Sequence, residues 1–147
     1  MMRHAALLAL ALLLAAVAVA CDRGADASGT PVNASLLVEA SPDDPRWFRD
    51  IEVPEGTDGY ELLEIAVDGE LESEFYAEFR SHFVESILGV AAEQPQFWAV
   101  FVWNEGNAGW EPLPVGADLF SVKEDHVMAW ALVEYDPDTP QLPVATP

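Results

Sequence analysis

Apolar and polar residues alternate along WFRDIEV (47–53), which predicts a half-buried strand, and ASLLVEA (34–40) predicts a shorter strand before it. SPDDP breaks the chain between the two, and Pro54-Glu55-Gly56 ends the second in a turn. In DGYELLEIAV the period becomes helical, with Leu62, Leu63, Ala66 and Val67 on one face. Asp58, with Glu61 three positions on, supplies a capping box at its start. Leu71, Phe75 and Phe79 recur every four residues, which predicts that helix resumes after Asp68-Gly69. HFVESILG (82–89) reads as a strand. QFWAVFVWN (96–104) and HVMAWALVEY (126–135) are apolar on both faces, as centrally buried strands are. NEGNAGWEPLPVGADLFSVKED between them is rich in Gly, Pro and Asn and predicts a long irregular crossing. Two strands, a helix and further strands predict an α+β domain over residues 34–136, a mixed sheet with one main helix packed across it.

The flanks differ in kind. MMRH followed by AALLALALLLAAVAVA has the charged start and apolar core of a secretory signal over residues 1–20. Cys21 is the one cysteine, which excludes a disulfide framework within the chain. VAVAC resembles the lipobox of bacterial lipoproteins, with Ala18 where Leu is more usual. That resemblance implies that Cys21 becomes the acylated first residue of an exported protein, held at a membrane of the cell envelope by its lipid alone. Small, polar residues after it predict a flexible linker over 21–33. Four prolines in DPDTPQLPVATP (136–147) predict a disordered tail over 137–147.

Charge narrows the function. The chain has 26 acidic residues against 6 Lys and Arg, and phosphate backbones require clustered cations, so nucleic acid is excluded as a partner. Catalytic signatures are missing as well. No HExxH or G-x-S-x-G occurs, nor any phosphate loop or dinucleotide fingerprint, and no catalytic cofactor is implied. Ser81 and His82 are neighbours in sequence, which does not make a triad. Glu70, Glu72, Glu74 and Glu78 lack the D-x-D-x-D-G pattern of a calcium loop and read as a solvated helix face. The expectation is a non-catalytic binding protein with no metal site.

Three tryptophans fall within FWAVFVWNEGNAGW (97–110). Strand alternation puts Phe97, Ala99, Phe101 and Trp103 on one face and Trp98, Val100 and Val102 on the other. Trp98 and Trp130 are expected in the core. Trp103 and Trp110 flank the turn that carries Asn104 and Asn107, where rings beside polar groups suit a flat ligand. Pinning the loop to the domain is the other use for those two rings.

Five motifs occur in an order that resembles the β-grasp domain at the C-terminal end of transcobalamin and intrinsic factor, and its bacterial relatives. They are TDGYELLEIA (57–66), FVESILG (83–89), Phe97-Trp98, Val115-Gly116-Ala117 and Val127–Trp130. Asp125-His126 stands where the family has Gly-Asp, so that turn is built differently. The resemblance implies a β-grasp-like fold and, as first ligand candidate, a corrinoid or cobalamin. Trp103, Asn104, Asn107 and Trp110 are the tentative ligand residues. A small ligand predicts a concavity near residues 103–118. An envelope protein as partner predicts a flat apolar patch or a usable sheet edge instead, and a surface-attachment module with no small ligand is a third reading.

Overall fold

The computed structural model describes residues 30–136 and 138–147. The expected leader, Cys21 and most of the expected linker lie outside the described residues. The domain is α+β. Among the described residues, eight strands and one α-helix follow in the order β1 (Val32–Glu39), β2 (Pro45–Val53), α1 (Gly59–Ala66), β3 (Leu71–Tyr76), β4 (Ser81–Ile87), β5 (Val90–Ala91), β6 (Gln96–Asn104), β7 (Gly109–Pro112) and β8 (His126–Glu134). Five strands form a mixed sheet in the order β2-β1-β8-β6-β7, and β3-β4-β5 form a second, smaller sheet. β1 and β8 run parallel, while the other neighbours in the large sheet are antiparallel.

The capping box sets where α1 begins. The Asp58 carboxylate accepts from the N–H groups of Tyr60 and Glu61, and Glu61 accepts in return from the Asp58 N–H. Two of the helix's orphan donors are thereby satisfied. Leu62 and Leu63 face the large sheet, where they pack in one cluster with Leu36, Trp98, Met128 and Trp130. Gly59 lies so close to the sheet that a Cβ there would come within 2.8 Å of the Met128 methyl.

Helix does not resume at Leu71. Asp68 (φ 52°) and Gly69 (φ 74°) turn the chain out of α1, and Leu71–Tyr76 pairs with β4 as a strand. The spacing of four between Leu71 and Phe75 equals two strand repeats as well as one helical turn, so that motif fits either period. Phe79 lies in the following turn, and Glu72 and Glu74 belong to a strand rather than to a helix face. The long crossing is also more ordered than expected. It contains β7 and a 3-10 turn at Ala117–Leu119.

The large sheet is apolar on its other face too, where Leu37, Phe101, Trp110, Ala129, Ala131 and Val133 form a second cluster. The C-terminal segment, expected to be disordered, is bound across that face. Both oxygens of buried Glu39 accept from its backbone, from Val144 N–H at 2.8 Å and Ala145 N–H at 2.9 Å. The Ala145 carbonyl accepts from the Trp110 indole at 2.8 Å, and Gln141 accepts from the Glu134 N–H. Its prolines bar the segment from a ladder, and side chains of the sheet satisfy its backbone instead. Among the described residues, both clusters draw their members from residues 32–145.

Candidate functional site

The four residues expected to bind a ligand sit on the β6–β7 hairpin, where Trp103 pairs with Trp110 and Asn104 with Gly109. The hairpin occupies both asparagines. Asn104 Oδ1 accepts from the Gly106 N–H, and the side-chain amides of Asn104 and Asn107 both donate to Glu111 Oε1, each at 2.8 Å. Trp110 is buried beneath the C-terminal segment, 5.2 Å from the Trp103 ring and 6.4 Å from Trp47. It fills the second core rather than presenting a face to solvent, which matches the loop-pinning use. Trp103 is half-buried and keeps access to solvent.

Beside Trp103 lies an open concavity of about 570 Å³. Trp103 and Asn104 line it together with Phe120, Lys123 and His126, which come from the segment leading into β8. Asn107 and Trp110 do not line it. The His126 ring stacks on Phe120 at 5.3 Å and an interplanar angle of 26°. His126 Nδ1 accepts the Lys123 N–H at 3.2 Å, which places the proton of the neutral imidazole on Nε2. Burial, then the neighbouring Lys123 charge, holds this histidine below the ordinary imidazole pKa. At neutral pH the ring is therefore an uncharged donor beside an ammonium group. Glu105 and Glu111 also line the hollow, so two aromatic rings stand among donors and carboxylates, groups of both charge signs, which suits a flat ligand with neutral polar edges.

A second group of residues positions this segment. Asp118, in the 3-10 turn, accepts from Ser81 Oγ at 2.8 Å, from the His82 N–H at 2.9 Å and from His82 Nδ1 at 2.5 Å. Partial burial alone would raise its pKa, but the hydrogen bonds from His82 and Ser81 outweigh it and hold the carboxyl below its ordinary value. On the other side the His82 ring stacks on Tyr60, 3.9 Å away and nearly parallel. Gly116 completes the clamp, because a Cβ there would fall 2.2 Å from Ser81 Oγ. Serine, histidine and aspartate thus converge without forming a nucleophilic triad: the hydroxyl donates to the carboxylate and leaves the imidazole without a serine to activate.

No protein-family model matches the chain, and no curated protein matches it by sequence. Solved structures do match its fold. A structure of haptocorrin in complex with Cbi superposes with a TM-score of 0.60 at 15% identity over 72% of this chain, and the match spans 26% of the haptocorrin chain. A candidate metal-binding protein from Ruminococcus gnavus superposes with a TM-score of 0.55 at 18% identity, over 71% of this chain and 99% of that one. At these identities the fold is what is shared.

Phe120, Lys123 and His126 carry no local signal in the sequence. They reach Trp103 because β8 lies beside β6 in the sheet, and the loop before β8 therefore folds back over the end of β6. The motif match runs to Val115–Ala117 and resumes at Val127, so it passes over all three.

Proposed function

We propose that the protein is an exported, lipid-anchored, non-catalytic binding domain that seats a small flat ligand on the concavity beside Trp103, with a corrinoid as first candidate. The concavity carries this reading, because it overlaps, at residues 103–106 and 111, the 103–118 stretch where a small ligand predicts one. The fold shared with a haptocorrin segment, from a structure that contains Cbi, supports the choice of ligand class. The concavity is open to solvent, so it would meet one face of a corrinoid rather than enclose it. Trp103 and Phe120 would contact the ring, and Lys123 and His126 Nε2–H would meet its amide fringe, while Asn104 holds the hairpin that carries Trp103. Export and anchoring rest on the leader and on the lipobox-like residues ending at Cys21. A non-catalytic role is supported by the Ser81–His82–Asp118 geometry, which activates no nucleophile.

Calorimetric titration of residues 22–147 with cobalamin and with cobinamide tests the reading. Saturable heat with either ligand, reduced tenfold or more in affinity by Trp103→Ala, is the expected result. Absence of heat with both ligands removes the corrinoid assignment.

A further inference from the structure

Sheets expose their outermost strands, and most of the edges in this domain are blunted in the ways that prevent pairing with another chain. β2 carries Pro45, Arg46, Arg49 and Glu52, and its pairing with β1 is interrupted by a bulge at Arg49-Asp50 (Asp50 φ 53°), opposite Ser35. β3 carries Glu72 and Glu74. β5 is two residues long, and β7 is four residues ending at Pro112. β6 differs from all of these. β7 pairs only with Phe101–Asn104, and one further bond, from the Leu113 N–H to the Val100 carbonyl, extends that contact. Among the described residues, Gln96–Ala99 have β8 on one side and no strand on the other. They are uncharged.

The alternation of the ladder fixes which groups this edge presents. The Val100 carbonyl points toward β7, so Trp98, two residues earlier, directs its N–H and C=O out of the same edge. Among the described residues no strand takes them up. A groove of about 520 Å³ runs along this stretch. Phe97 and Leu113 line it, Phe83 faces it from β4, and Tyr135 and Pro140 close its far side. Phe83 is 55% exposed, more than a ring serving only the core requires. The charged residues lining the groove are Glu134 and Asp136, both acidic. None of the residues lining it is shared with the concavity beside Trp103.

We infer that this groove is a strand-docking site: it takes an extended segment of a cationic partner protein as an added strand on β6. The main-chain groups of Trp98 pair with the segment, its apolar side chains enter between Phe83 and Phe97, and a Lys or Arg meets Glu134 and Asp136. A second copy of this chain is the less suited occupant, because it would bring a formal charge of −20 to a groove whose charged lining residues, Glu134 and Asp136, are both acidic.

A capped seven-residue peptide alternating valine and lysine tests the inference on residues 22–147, read by amide hydrogen exchange and NMR shift mapping. The inference predicts that saturating peptide slows exchange of the Trp98 N–H at least tenfold and shifts Phe83, Phe97 and Ala99. A version with central proline should leave Trp98 exchange unchanged, and a version with glutamate for lysine should bind at least tenfold more weakly. Glu134→Gln with Asp136→Asn should weaken the lysine peptide about threefold or more without altering the fold. Unchanged Trp98 exchange, equal binding of the proline peptide, or shifts confined to β2 or β3 would overturn it. Because Trp103→Ala lies outside the groove, it should leave peptide binding intact, which separates failure here from failure of the corrinoid reading.

Discussion

Replacing Asp118 by alanine removes the acceptor at the centre of the clamp that holds the 113–123 segment to β4. Three donors lose their partner: Ser81 Oγ, the His82 N–H and His82 Nδ1. Hydrogen bonds to a charged group each contribute about 1.5–3 kcal/mol, but water can reach part of this site, since the His82 side chain is 28% exposed. The hydroxyl and the ring can therefore rebond to solvent, and the His82 N–H carries most of the penalty. A net loss of about 2–3 kcal/mol follows. The pH dependence has a defined sign. Because the folded-state pKa of Asp118 lies below 3.8, the clamp stabilises fully above that value and its contribution is lost as pH falls through the lowered pKa. Equilibrium urea unfolding of residues 22–147 should therefore show a lower midpoint for Asp118→Ala at pH 7 with an unchanged m-value, the gap narrowing toward pH 2. Asp118→Asn, which keeps one acceptor oxygen, should fall between the two. A pH 7 difference below about 0.5 kcal/mol would refute the clamp, because that is the size of an ordinary surface substitution.

Glu39→Gln leaves one acceptor oxygen for two backbone donors, so the C-terminal segment should detach more readily, by about 1–3 kcal/mol. Digestion by carboxypeptidase, faster in the variant than in the parent chain, reads this directly. Asp58→Ala removes the N-cap of α1 and should cost about 1 kcal/mol in urea unfolding. His126 has a depressed pKa, so the stability it contributes is present above pH 6.5 and is lost as pH falls through its lowered folded value. Comparison of thermal midpoints at pH 7.5 and 5 should show a drop that His126→Gln reduces. Phe79→Ser, at a ring 67% exposed in a turn, should change stability by less than about 0.5 kcal/mol.

Where one interaction dominates locally, the structure could be read from the sequence. The capping box at Asp58 and Glu61 needs only four consecutive residues, and the two faces of β6 need only a period of two. The structure has both as expected: Trp98 and Val100 pack in the helix-side cluster, and Phe97, Ala99, Phe101 and Trp103 in the other. β3 was misread because a four-residue repeat satisfies both helix and strand, and the choice between them was made by pairing with β4. The C-terminal segment was misread because its prolines report what it cannot form and say nothing of Glu39, whose acceptors lie 105 residues away. Long-range partners also explain the site. Trp103 and Asn104 could be proposed from their neighbourhood, but Trp110 was claimed by the second core. Phe120, Lys123 and His126 joined the site through sheet order.

Titration of labelled residues 22–147 with cobinamide, followed by NMR at the Trp103 indole and the His126 ring, tests the binding account most directly. The account predicts saturable shifts at those two rings and at Phe120, with Phe83 and Phe97 unmoved. Saturable binding that shifts the β6 edge and leaves Trp103 and His126 unchanged, or no shift at any ring, would contradict it.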